Sequence, residues 1–183
     1  AGVHALGQSA NFHTDRKLDP EKLKAELNTY LPEDIGVVRV EEVPERFHSR
    51  LNALGKTYRY RVATGEGKNV FERKQIYPLN QPLDVEAMRL GAALLVGEKD
   101  FRGFSSMKKT KKSTVRRLES VKIRELPGEV EFDFTGNGFL YNMVRILTGT
   151  LLEIGMGKRE LESIGKVFQK NDRNLAGFTA PAM

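Results

Sequence analysis

Apolar residues recur along this chain with two periods, and each period names a kind of element. Leu140, Val144, Leu147 and Leu151 stand at helical spacing, with Met143, Ile146 and Ile154 on the flanks. The spacing predicts a largely buried helix over 139–154, ended by Gly155 and Gly157. Residues 20–31 read as a second helix, with Asp19 as N-cap, Pro20 at the first position and an apolar stripe of Leu23, Leu27, Tyr30 and Leu31. Pro32 stops it. A third helix is capped by Asp84, carries Met88, Ala92, Leu95 and Val96, and stops at Gly97. A fourth, over 158–169, turns Leu161, Ile164 and Phe168 inward.

The other period is two. Over 57–63, Tyr58, Tyr60 and Val62 point one way, and Thr57, Arg59 and Arg61 the other. The tyrosine face suits a core or a cleft; the arginine face suits phosphates. Residues 115–126 and 129–135 form a predicted hairpin joined at Pro127-Gly128. In its second strand Val130, Phe132 and Phe134 alternate with Glu129, Glu131 and Asp133, so one face is expected buried and the other wet. Further strands are expected over 3–12 and 37–43, a short connection over 100–104, and a lysine-rich loop over 108–112. Helices and strands are mixed and one strand pair is an antiparallel hairpin, so the fold class is α+β.

Charge adds a location. The net charge is +6, yet residues 46–61 carry five cations without an acid and residues 108–117 carry six without an acid. Those windows hold 11 of 30 cations, leaving 19 against 24 acids elsewhere. Basicity confined to two windows on a weakly acidic body points to a polyanion partner. A pair of solvated charge runs would leave the same pattern. The chain has no cysteine, which excludes disulfides, thiolate catalysis and cysteine zinc sites. Its three histidines lack a metal-ligand spacing, and no apolar run approaches the roughly 20 residues that span a bilayer.

One residue stands against its surroundings. Arg145 sits in the middle of the most apolar helix. A guanidinium cannot shed its charge, so burying it costs several kcal/mol, on the order of an unpaired ion's desolvation, unless an anion and acceptors meet it. An arginine at the helix rim, with its stem packed and its head in water, accounts for the same pattern.

Several stretches together resemble the bacterial tRNA pseudouridine synthase A family. They are Ala1-Gly-Val-His-Ala-Leu-Gly-Gln8, Phe47-His48-x-Arg50, Lys56-Thr-Tyr-Arg-Tyr60, Asp100-Phe101, Gly138-Phe139-Leu140 with Met143-Val144-Arg145, and Ala176-Gly177-x-Thr179-Ala180-Pro181-Ala182. They stand in the family's order and cover essentially the whole chain. The resemblance implies a largely antiparallel sheet with helices packed on one side, in two pseudo-symmetric halves around a basic cleft. Residues 1–64 would be the remainder of the N-terminal catalytic half, and 65–183 the C-terminal half.

It also implies a reaction: uridine is isomerised to pseudouridine at positions 38, 39 and 40 of the tRNA anticodon stem-loop, without cofactor or metal. The family's nucleophilic aspartate directly precedes Ala-Gly-Val-His. The chain is thus expected to lack it, together with an N-terminal segment and a last strand, and to be inactive as it stands. By the same resemblance Tyr58 stacks on the target uracil and Arg145 pairs with the aspartate. With that partner absent, the guanidinium is expected to turn to water, an anion or a backbone carbonyl. His48 and Arg50 correspond to loop positions near the RNA cleft. Lys56, Arg59, Arg61, Lys108, Lys109, Lys111 and Lys112 would hold phosphates. The implied partners are tRNA and a second copy of the chain, with no membrane, in the cytoplasm. A non-catalytic RNA-binding module, or an interaction domain pairing through open sheet edges, are the competing readings.

Overall fold

The computed structural model describes residues 3–108 and 111–183. Two compact units emerge: residues 5–53 form one, and the first four residues with 54–183 form the other.

The smaller unit holds one helix, α1 (Pro20–Tyr30). Asp19 caps it as expected, its carboxylate accepting from the Glu21 and Lys22 amides. The strands expected over 3–12 and 37–43 are not formed. A strand persists only where a neighbour takes its backbone groups. Here the Asn28 side chain takes those of Val37, accepting from its N–H at 2.7 Å and donating to its C=O at 3.0 Å. Over 3–12 the apolar alternation is broken, and Val3 and Leu6 lie exposed.

The larger unit is a five-stranded sheet with helices on one face. Its strands are β1 (Lys56–Ala63), β2 (Tyr77–Pro78), β3 (Gly97–Asp100), β4 (Val115–Leu126) and β5 (Glu129–Gly136), in the order β2-β1-β5-β4-β3. Only β1 and β2 run parallel. The β4–β5 hairpin forms where the alternation predicts it. Its turn needs Gly128 at φ +74°, a conformation glycine adopts without steric cost. The Gly97–Asp100 edge strand was not legible, because Gly-Glu-Lys-Asp carries no apolar alternation; its order comes from pairing with β4.

The apolar face of the sheet presents Tyr60, Val62, Ile123, Val130, Phe132 and Phe134, each under one-tenth exposed. Helices α2 (Val85–Leu95) and α3 (Met143–Gly155) belong to the same core, through Met88, Ala92 and Leu95 on one and Ile146, Leu147 and Leu151 on the other. The two helices approach so closely that a Cβ at Gly155 would lie 2.7 Å from the Met88 sulfur. Helix α4 (Ser163–Lys170) adds Phe168 to an aromatic cluster with Phe101 and Phe104. Burying each of these phenyl rings contributes roughly 1.5–3 kcal/mol.

Helix α3 starts four residues later than its periodicity suggests. Asn142 adopts φ +60°, ψ 7°, which no helix can continue through. Leu140 still turns inward at 6% exposure, so the apolar spacing reports burial there rather than helix.

Candidate active site

The sequence alternates tyrosine and arginine along β1, and the pleat separates them onto opposite faces. On the polar face, Arg59 forks onto Asp133 at 2.8 and 3.0 Å. Arg61 forks onto Glu129 at 2.5 and 2.8 Å and reaches Glu72 at 2.6 Å. Arg124 bonds Glu131 and Asp133 at 2.7 and 2.9 Å. This face was expected wet. Instead Glu131 is 9% exposed, because the arginine stems lie over it. The hydrogen bond from Arg59 holds the Asp133 carboxyl below its ordinary range, against the opposing effect of burial. The bond from Arg61 does the same for Glu72. The carboxylates in turn raise both guanidinium values. Two of the cations assigned to phosphates are thus engaged by acids of the same unit.

On the apolar face, Tyr60 is buried and its hydroxyl donates to the Pro181 carbonyl at 2.6 Å. Burial pushes this phenol well above its ordinary value, and the neighbouring Arg145 charge only partly offsets it. Two residues earlier, Tyr58 is half-buried. Its ring meets Phe139 edge to face, with centroids 5.2 Å apart and planes at 89°. Phe139 belongs to the loop that carries the chain from β5 into α3, so one aromatic pair ties β1 to the approach of that helix.

Arg145 lies in the first turn of α3, half-buried. A cation there opposes the helix dipole, so something else must hold it. Its Nε donates to the Ala180 carbonyl at 2.5 Å, and its Nη1 to Asn142 Oδ1 at 3.2 Å. Its own carbonyl accepts from the Ala180 N–H at 3.1 Å. Among the described residues Arg145 makes no ion pair. Every buried side-chain polar atom described has a partner, so the remaining Nη2 amine, which has no hydrogen bond among the described residues, is not fully buried. The guanidinium therefore sits in a socket of neutral acceptors, with donors left over for an anion.

The segment that forms this socket lies directly against α3. The Gly177 N–H donates to Thr150 Oγ1 at 2.9 Å and the Phe178 N–H to Glu153 Oε1 at 3.1 Å. Arg173 donates to the Gly177 carbonyl and to Thr179 Oγ1, both at 2.9 Å. A Cβ at Gly149 would fall 1.9 Å from the Phe178 carbonyl oxygen, so this crossing requires glycine.

The contacts thus join Tyr60, Arg145 and Ala180–Pro181 in one set and Tyr58 with Phe139 in another, and the two share strand β1 through Tyr58 and Tyr60. His48 and Arg50 belong to the smaller unit. There the His48 imidazole accepts from the Arg50 and Leu51 amides at 3.2 and 3.3 Å, which makes it the keystone of a local turn. Lys56 is half-buried, whereas Lys108, Lys111 and Lys112 are exposed. Lys109 and the first two residues lie outside the described set. Among the described residues no group of acids and histidines could hold a metal ion.

A family model described as tRNA pseudouridine synthase matches residues 92–183. A second, described as an uncharacterized protein conserved in bacteria, matches residues 1–126. Similar whole proteins span both. One named tRNA pseudouridine synthase A 2, from Bacillus cereus (strain ZK / E33L), is 45% identical over 100% of this chain and 74% of its own length. Proteins named tRNA pseudouridine synthase A from Geobacillus sp. (strain WCH70) and Limosilactobacillus reuteri (strain DSM 20016) are 45% and 46% identical, over 99% and 100% of this chain and 73% and 72% of theirs. The chain belongs to the tRNA pseudouridine synthase family. By family it is an isomerase, and the mixed, mostly antiparallel sheet is consistent with that fold. No helix among the described residues is long and apolar enough to cross a membrane.

Sequence reasoning singled out Tyr58 and Arg145 but not Asn142, which contacts the Arg145 guanidinium and whose only signal was an amide-bearing residue just ahead of the apolar run.

Proposed function

We propose that this protein isomerises uridines of the tRNA anticodon arm, at positions 38, 39 and 40, with Arg145 and Tyr58 in its active site. The observation that carries the reading is the Arg145 socket: a half-buried guanidinium with neutral acceptors on two nitrogens and open donors beyond them. Such a group is prepared for a carboxylate that belongs to the reaction rather than to the core. The resemblance assigns that carboxylate to the family's aspartate, which stands directly before the Ala-Gly-Val-His motif in that family. The aspartate attacks the target nucleotide, the C1′–N1 bond breaks, the uracil turns and joins C1′ through C5, the bond to the aspartate breaks again, and the C5 proton is lost while N1 gains one.

Tyr58 offers the extruded uracil a flat ring, and Phe139 packs against that ring at right angles. Flipping the base out of the stem costs a few kcal/mol, on the order of one lost stacking step, and this contact returns part of it. Lys56 and the exposed lysines Lys108, Lys111 and Lys112, with Arg50, hold phosphates, which gives affinity without sequence readout. Arg59 and Arg61 play the smaller part in this, since their charges already face carboxylates. The working protein is a cytoplasmic homodimer with tRNA as its substrate.

The test is mass-spectrometric mapping of the anticodon arm after incubation of tRNA with two proteins. One is the chain Ala1–Met183; the other is this chain extended at its N-terminus to the length of its relatives, so that it carries the family's aspartate. Pseudouridine is expected with the longer protein only. Turnover by the shorter chain would remove the aspartate from the mechanism. RNA binding by the longer protein without turnover would favour a non-catalytic RNA-binding module.

A further inference from the structure

We propose that Asn142 is a positioning residue for the Arg145 guanidinium. The inference rests on the reading of Arg145 given above and adds a residue to it.

Three observations carry it. Asparagine is favoured ahead of a helix because its side chain accepts from an amide of the first turn. Asp19 and Asp84 do this for α1 and α2, from extended backbone. Asn142 stands in the same place before α3 and makes no such bond. Its side-chain oxygen instead accepts from Arg145 Nη1 at 3.2 Å. A guanidinium only donates, so this contact fixes which way the amide faces.

The second observation is the backbone. Left-handed residues ordinarily end helices, as Asn171 ends α4. Asn142 has φ +60° at the beginning of one. A non-glycine residue held there costs about 1 kcal/mol or more, and such strain is kept where the surroundings over-determine it.

The third observation is the support on either side. The Tyr141 carbonyl is gripped by Ser105 Oγ at 3.2 Å and by the Ser106 N–H at 3.1 Å. The Asn142 carbonyl accepts from the Ile146 N–H at 3.0 Å. The Asn142 backbone is therefore pinned before and after, and its amide has a fixed origin. Together with the Ala180 carbonyl it clamps the guanidinium at two nitrogens, Nε and Nη1, which orients its plane and leaves Nη2 as the nitrogen without a hydrogen bond among the described residues.

The experiment uses the extended protein described above and its variants Asn142→Gly and Asn142→Asp. Glycine accepts φ +60° without strain but supplies no amide oxygen. Its melting temperature should stay near that of the parent, its KM for tRNA should change less than about twofold, and its kcat should fall by up to about 100-fold, the scale of a misplaced catalytic group. Aspartate keeps the shape and tolerates the same backbone, but places a carboxylate on Arg145 in competition with the nucleophile. Its kcat should fall further than that of the glycine variant, with stability retained or raised. A glycine variant with parental kcat would overturn the inference, and so would a kcat loss matched by a loss of stability. If the parent protein itself makes no pseudouridine, the functional reading fails and takes this inference with it. An active parent with an unaffected glycine variant sinks the positioning role alone.

Discussion

The two faces of β1 use arginine in opposite ways. On the outer face Arg59 and Arg61 are met by Glu72, Glu129, Glu131 and Asp133, each charge answered within the same unit. On the inner side Arg145 is met by a carbonyl and an amide, which share its protons and leave its charge standing. The first arrangement already answers its cations with carboxylates and so has the weaker need of an added anion. The second leaves the guanidinium without an ion pair among the described residues. Counting cations along a sequence cannot tell these apart; what a guanidinium faces in three dimensions can.

Removing each arginine is the strongest way to break this contrast. In the N-terminally extended protein, Arg145→Ala should lower kcat by about 100-fold or more, measured by pseudouridine formation at saturating tRNA. Arg59→Ala should leave kcat within about twofold, because its partners are structural. A large kcat loss for Arg59→Ala, with none for Arg145→Ala, would reverse the assignment.

Next in size is the crossing of the tail over α3. Gly149→Ala places a methyl 1.9 Å from the Phe178 carbonyl oxygen, so the segment must move. The expected cost is about 3 kcal/mol or more, read by denaturant unfolding, with the Arg145 socket lost alongside.

A smaller effect sharpens the outer face. Asp133→Asn should destabilise by about 1 kcal/mol, discounted because Arg59 is half exposed. The same face predicts a pH dependence. The Asp133 and Glu72 carboxyls titrate lower in the folded protein than unfolded. Their stabilisation is therefore complete above the ordinary carboxylate value of about 4 and is lost as pH falls below it through the lowered values. Thermal unfolding from pH 6 to pH 2 should show that loss, and Asp133→Asn should reduce its size. An unchanged pH profile in the variant would show that the ion pairs contribute nothing measurable.

Part of this was legible in the sequence and part was not, for physical reasons. The β1 and β5 alternations are local facts, since the period of two fixes which side chains share a face, and both strands formed as read. The wetness of the polar face was misread, because whether Glu131 sees water depends on arginines from two neighbouring strands. The strand expected over 37–43 failed for want of a partner, which no window of sequence reveals. For the candidate site, Arg145 stood out because one cation interrupts an apolar period. Asn142 did not, because its backbone angle and the direction of its amide are properties of the folded chain.

The grip on Arg145 is made through the main chain of residue 180, by both its N–H and its C=O. Such a grip does not read the identity of the residue that provides it. Any small residue that fits the buried site of Ala180 can serve. An insertion or deletion of one residue between Gly177 and Ala180 would shift the register and present the wrong peptide group. The vulnerable property of this stretch is its length rather than its lettering.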